Sequence, residues 1–262
     1  VANPAYLAAD KAAQTGVLVS VQSEDAIYPK ENLQDAITAK LFRGSSLTDQ
    51  WIEYDFGTSV TLDVWGIANH NLSASVSATL RAGATTAPST LIHTFTYRAA
   101  DIYGSFTPAS HRFWRLTISD SLAEAISIGW MPVGELVTLP VAPRYGGESG
   151  LEERTIEEET QAGVDWVFRQ FQRRVETYPF RFRHLYRADF ETLHNAVGGR
   201  SAPMMWIPDS ANPDVIFGRK EAGFALREIP SPAIIDNAGG IEPVYDYELQ
   251  IRADSRGLNV GL

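Results

Sequence analysis

The sequence predicts an all-β protein of two domains with one or two short helices, and three observations carry that expectation. Short runs rich in β-branched and aromatic residues recur through both halves, separated by Gly, Pro, Ser and Asp clusters at regular spacing. Residues 139–150, LPVAPRYGGESG, combine two prolines with three glycines, a composition that resists helix and ladder alike. This stretch divides the 262 residues into two parts, each long enough for its own core. No apolar run approaches the roughly 20 residues that span a bilayer. The start, VANPAYLAADKAAQTG, has neither a basic end nor an apolar run, so no leader and no membrane insertion are expected.

In chain order, the first half offers strands at Gly16–Val21, Gln50–Phe56, Thr61–Asn69, Ser75–Ala82, Thr90–Tyr97, Arg112–Ser119 and Ile126–Leu139. Phe113-Trp114-Arg115-Leu116-Thr117-Ile118 alternates, which sends Phe113 and Trp114 to opposite faces. Residues 1–140 form the first domain, 141–150 a linker and 151–262 the second domain. In the second, Leu151–Gln161 is acidic, and six arginines fall within 169–187 against the single acid Glu176. Phe190, Leu193 and Val197 recur at helical spacing before Gly198-Gly199, predicting a short helix near 187–197. Strands resume at Pro203–Pro208, Asp214–Gly218, Phe224–Ile229 and Tyr245–Ala253. In the last of these, Tyr245, Tyr247, Leu249 and Ile251 share one face.

Composition bounds the function. The apolar and charged fractions, 44% and 21%, are those of a globular protein and exclude wholesale disorder. With no cysteine there is neither a disulfide framework nor a thiolate metal site, which fits a reducing compartment. A net charge of −10 argues against sequence-specific or general nucleic-acid binding, since phosphate affinity comes from Lys and Arg. Enzyme signatures are missing. His70, His93, His111, His184 and His194 are isolated, with no HExxH or H-x-H. Ser149 lacks the G-x-S-x-G elbow, and Glu157-Glu158-Glu159 on a strand would point to opposite faces. No cofactor is expected.

Two resemblances sharpen this reading. Asn32 and Asp35 in an acidic loop, the strand Gln50-Trp51-Ile52-Glu53-Tyr54-Asp55-Phe56-Gly57 and the run Val64-Trp65-Gly66-Ile67-Ala68-Asn69-His70-Asn71 fall in the order of one known family. Together with Phe113–Ile118 and the closing Gly134-Glu135-Leu136, they resemble galactose-binding-like jelly rolls of the discoidin and coagulation-factor type C family. That likeness implies a β-sandwich that binds glycans, lipids or proteins through its end loops. The ligand contacts it suggests are Tyr28, Phe42, Arg43, Asn69, His70, Asn71, Tyr97, Tyr103 and Arg112. A sugar site needs an aromatic face and planar polar groups, and these loops hold such residue types. Some family members hold a cation in the loop, at positions matched by Asp35, Thr38 and Glu135. Ala36 stands where that family has glycine, and the alternative is a loop held by Asx-turn bonds.

The second half is similar in element order to the ring-forming domain of siphophage distal tail and baseplate proteins. The matching pieces are Trp166-Val167-Phe168-Arg169, Phe180-Arg181-Phe182, a short helix, Ala202-Pro203-Met204-Met205-Trp206-Ile207-Pro208-Asp209 and Val215-Ile216-Phe217-Gly218-Arg219. The resemblance implies a non-enzymatic tail-tip protein in the virion, made in the host cytoplasm. It would form a hexameric ring between tail tube and tail hub and display a domain for a host-surface glycan. Glu152, Glu153, Glu157, Glu158 and Glu159 would meet Arg169, Arg173, Arg174, Arg181 and Arg183 at subunit contacts; pairing within one hairpin is the other reading of the same charges. The alternative function is a stand-alone carbohydrate-binding module, and a third is an accessory protein of a glycan hydrolase.

Overall fold

The computed structural model describes residues 3–7, 9–47, 49–120, 124–139, 150–153, 156–159, 165–168, 174–186, 203–211, 214–221, 227–235 and 241–254. The strands among them are β1 (Ala5–Leu7), β2 (Leu18–Val21), β3 (Phe42–Arg43), β4 (Gln50–His70), β5 (Ser77–Gly83), β6 (Thr90–Phe95), β7 (Ile102–Ser119), β8 (Ser127–Trp130), β9 (Val133–Gly134) and β10 (Leu136–Thr138). They continue with β11 (Gly150–Glu153), β12 (Ile156–Glu159), β13 (Asp165–Phe168), β14 (Arg174–Tyr186), β15 (Pro203–Ile207), β16 (Ile216–Glu221), β17 (Arg227–Ile235) and β18 (Ile241–Asp254). The all-β expectation holds. The helical piece described is a 3-10 turn at Lys30–Gln34; the helix expected near 187–197 lies outside the described residues, and so does the expected linker 141–150 except Gly150, which opens β11.

One compact unit comprises residues 1–142 and 203–217, and the other 143–202 and 218–262. Pro203–Phe217 therefore belongs with the first unit, not with the second domain where its place in the sequence suggested it. The physical reason is β1. Ala5, Tyr6 and Leu7 are all buried, and a strand buried on both faces needs partners on both edges. It finds β10 on one side and β15 on the other, with Tyr6 opposite Trp206 and the two rings stacked at 6.4 Å.

The first unit is an antiparallel sandwich built on β4 and β7. The strands expected at Gln50–Phe56 and Thr61–Asn69 are one bent strand, β4, which pairs along its length with β7. The bend sits at Gly57, whose φ of +72° is cheap for glycine, and the Asp55 carboxylate accepts its N–H at 2.8 Å. Likewise β7 begins ten residues before the predicted Arg112, and the single strand predicted at Ile126–Leu139 is three short ones.

Alternation fills the core. Ile52, Leu116 and Leu80 align across β4, β7 and β5, as do Tyr54, Trp114 and Ala82, so that bulky rings meet a small neighbour. Between Leu62 and Val64 the register slips by a bulge. One extra residue inverts the phase, so Leu62, Trp65 and Ile67 face the main core while Val64 and Ala68 face a second one. That second core is completed by Ala5, Leu7, Trp130, Met205, Ile207 and Phe217.

The segment after β1 is pinned by Asp10. Its carboxylate accepts from Trp130 Nε1 at 2.9 Å and from the N–H groups of Ala12 and Val133 at 3.0 and 3.2 Å. Burial pushes the Asp10 carboxyl up from 3.8 to about 6, against the pull of these donors. The folded protein thus binds this proton more tightly than the unfolded chain. The associated stability is fully present below the ordinary value of 3.8 and is lost as pH rises through about 6. Between pH 4 and 6, melting temperatures should fall for the wild type relative to Asp10→Asn, with the difference level above pH 7. A flat difference across that window would contradict the assignment.

In the second unit β14 and β18 form the longest pairing, from Val175 opposite Asp254 to Tyr186 opposite Val244, and β17 and β16 also lie along β18. β11 runs along β14, with Glu153 opposite Arg174 and Glu152 opposite Val175, while Arg181 stands opposite Glu248. The acid-bearing strand β11 therefore has a basic strand beside it in the same chain. Glu157, Glu158 and Glu159 lie on β12, which pairs with β13. Arg183 lies on β14 where its register shifts, and Arg169 and Arg173 fall outside the described residues.

Candidate ligand-binding site

The loop between β2 and β3 folds into a tight turn because Asp25 can cap it. Its carboxylate accepts the Ile27 N–H at 2.9 Å and its carbonyl accepts the Tyr28 N–H at 3.0 Å. The turn is laid against β3: Asp25 N–H donates to Arg43 O at 2.8 Å, and Arg43 N–H donates to Tyr28 O at 3.1 Å. β3 is held by β8, with Phe42 opposite Ile128 and Arg43 opposite Ser127. Phe42 is fully buried, so its neighbour Arg43 turns the other way, outward. Two residues 15 apart in sequence, Tyr28 and Arg43, are thereby fixed side by side at the loop end. Both are half-exposed, and among the described residues neither side chain carries a hydrogen bond or ion pair. Ile27, at the tip of the turn, is 78% exposed. Beside the turn lies an open groove of about 370 Å³ lined by Ser20, Val21, Gln22, Ser23, Glu24 and Lys30. The Lys30 ammonium stands 3.6 Å from the carboxylates of both Glu24 and Glu31.

Several residues expected to meet ligand are engaged in building the loops. Phe42 is a core residue, because its phase on β3 points inward. Asn69, at a φ of 50°, donates through Nδ2 to Thr38 O at 2.7 Å, and its N–H goes to Asp101 at 2.8 Å. His70 Nδ1 accepts the Leu72 N–H at 3.2 Å, which leaves the proton on Nε2 for the Ala100 carbonyl at 3.1 Å. Asn71 bonds Ala125 O through Nδ2 and Ser127 N–H through Oδ1, at 2.9 and 2.8 Å. Backbone groups at the end of a sandwich need partners, and these side chains supply them. Tyr97 packs against the main core and Tyr103 against the second, where burial pushes its hydroxyl pKa up. Arg112 makes two bonds to Asp55, at 2.7 and 2.8 Å, and lies 4.7 Å over the Phe113 ring. Those bonds hold the Asp55 carboxyl below its usual range. Of these candidates, Tyr28 and Arg43 pair an aromatic ring with a guanidinium on adjoining backbone, and among the described residues neither side chain carries a hydrogen bond or ion pair.

The cation-site candidates have other partners. Asp35 caps its own turn through the Ile37 N–H at 3.0 Å and takes the Lys40 ammonium at 2.5 Å. Thr38 O accepts Asn69, and Glu135 faces Lys11 at 3.7 Å. A Cβ on Gly129 would stand 2.3 Å from Thr38 O, so the loop lies on β8 only because that position is glycine. Among the described residues no group of three or more His, Asp or Glu could hold a metal, and no helix is long and apolar enough to cross a membrane.

Sequence reasoning missed Glu53. It is 5% exposed, yet it accepts Thr86 Oγ1 at 2.7 Å, Ala87 N–H at 2.9 Å and Arg115 Nε at 2.9 Å. Arg115 in turn lies 4.1 Å over the Trp51 ring. The signal was two oppositely charged residues at outward positions of two alternating strands, but their pairing depends on a register that sequence alone does not fix.

No family model and no curated protein matches the chain. Among solved structures, the chain is similar to a selenomethionine-labelled variant of chitosan-binding module 1 from a chitosanase/glucanase of Paenibacillus sp. IK-5. The TM-score is 0.41 with 18% identity, over 45% of this chain and 93% of that one. It is similar as well to CpGH89CBM32-6 produced by Clostridium perfringens, with TM-score 0.41 and 15% identity over 48% of this chain and 98% of that one. A third is the CBM32 of AlyQ in complex with 4,5-unsaturated mannuronic acid, with TM-score 0.37 and 21% identity over 44% and 92% of the two chains.

Proposed function

We propose that this chain is a non-enzymatic recognition protein whose first unit binds a glycan at Tyr28 and Arg43. The observation that carries the reading is the backbone clamp that fixes this pair side by side while leaving both side chains unpartnered. A tyrosine ring offers a face for sugar C–H groups and a hydroxyl at its edge, and a guanidinium offers planar donors that reach two hydroxyls at once. Chemistry on the sugar is not part of this reading. The motif order read from the sequence between residues 151 and 262 favours a place in a phage tail-tip assembly, although one of its pieces, Pro203–Phe217, packs in the first unit.

A glycan array probed with the intact protein, followed by titration of the best sugar, tests the reading. Tyr28→Ala and Arg43→Ala should each weaken binding at least about 10-fold, equivalent to about 1.4 kcal/mol. Melting temperature should change far less than affinity, since neither side chain carries a hydrogen bond or ion pair among the described residues. Full affinity in both variants would refute the site.

A further inference from the structure

The geometry points to β2 as an edge that pairs with its own copy: we propose that two molecules of this chain join β2 to β2, antiparallel, about a two-fold axis at Ser20. This inference is independent of the glycan reading. β2 is paired on one side only, by β4, with Leu18 opposite Asp55 and Val21 opposite Ile52. The Gln22 N–H donates to Trp51 O at 3.0 Å, which sets the phase of the ladder. Leu18, Ser20 and Gln22 spend their backbone groups on β4, so the N–H and C=O groups of Val19 and Val21 point to the open side. At Val17 the edge is closed, because Gln34 Nε2 already bonds that carbonyl at 3.3 Å. The open stretch faces the groove lined by Ser20–Glu24 and Lys30.

Donors and acceptors at every second residue are the complement of another extended backbone, and three features favour a second copy as that strand. Pairing Val19 with Val21 of the other molecule brings the outward groups of both together, and the two-fold repeats this as a second bonded pair. The strand is Leu-Val-Ser-Val, with no charge or proline of its own, and the Lys30 beside the edge is paired with Glu24 at 3.6 Å. Leu18, 65% exposed on the outer face, would be covered by the neighbouring strand.

The register makes a sharp test. Ser20 falls opposite its own copy in a non-hydrogen-bonded pair, where Cα atoms are about 4.5 Å apart, within disulfide range. Gln22 lies opposite Leu18 of the other molecule, and its own copy is about 13 Å away, outside that range. The chain has no cysteine, so one introduced thiol reports alone. Under mild oxidation the full-length Ser20→Cys variant should run as a covalent dimer of twice the mass under denaturing conditions, and Gln22→Cys should form no covalent dimer. Val21→Pro removes an N–H that faces away from β4, so the fold stays and the concentration-dependent doubling of mass in light scattering should vanish. The proposal is overturned if the unmodified protein shows no such doubling, if Ser20→Cys cross-links no faster than Gln22→Cys, or if Val21→Pro leaves the mass doubled with the circular dichroism unchanged.

Discussion

Glu53→Ala should destabilise the first unit by about 3 kcal/mol, at the lower end of the range for removing one partner of a buried ion pair. Three donors lose their acceptor together: the Arg115 guanidinium, the Thr86 hydroxyl and the Ala87 N–H. Arg115 is 17% exposed and its cation also lies on Trp51, so water and the ring soften the loss. Ala87 holds a φ of 54°, which a non-glycine residue adopts only when the surroundings fix it. The β5–β6 turn should therefore loosen as well as the strand pair. For a unit of this size, urea unfolding should register the loss alongside a fall in melting temperature of about 10 °C. In Glu53→Ala/Arg115→Ala the unpaired cation is gone, and part of the stability should return. A single-variant loss below about 1 kcal/mol would mean that the carboxylate is not the anchor described.

Trp114→Ala is expected to cost more, about 3–5 kcal/mol, the range for emptying a buried aromatic site. The ring is fully buried between Tyr54 and Ala82 in the aligned row, with Phe106 at 5.9 Å and His111 at 5.8 Å. Its Nε1 donates to His111 O at 3.0 Å, so the indole also ties down β7 where its register with β4 shifts. Strands on both sides hold the walls apart, which limits collapse into the space left behind. Trp114→Phe keeps most of the volume and should lose less than half as much. Equal losses in both variants would point to the single hydrogen bond instead of packing.

These residues show why part of the structure was legible. Strict alternation at Phe113–Ile118 identified Trp114, Leu116 and Ile118 as one face, and they are the core face of β7. The inversion at Leu62/Val64 was hidden, because a bulge is a property of two strands and leaves no mark on one. Pro203–Phe217 was assigned to the second half by sequence position, whereas its buried Met204, Met205, Trp206 and Ile207 serve the unit begun by β1. For the site, residue type was a poor guide to availability. Asn69, His70 and Asn71 have the groups a sugar needs, yet neighbouring carbonyls and N–H groups claim them. The nearness of Tyr28 to Arg43 comes from a turn closing on a two-residue strand, a contact no periodicity announces.

Amide NMR of the labelled protein, titrated with the best sugar from the array, tests the glycan site most directly. The prediction is shifts that saturate at Asp25–Tyr28 and at Phe42–Gly44, with Asn69–Asn71 unmoved. Saturating shifts centred elsewhere, or no sugar that shifts any amide, would contradict it.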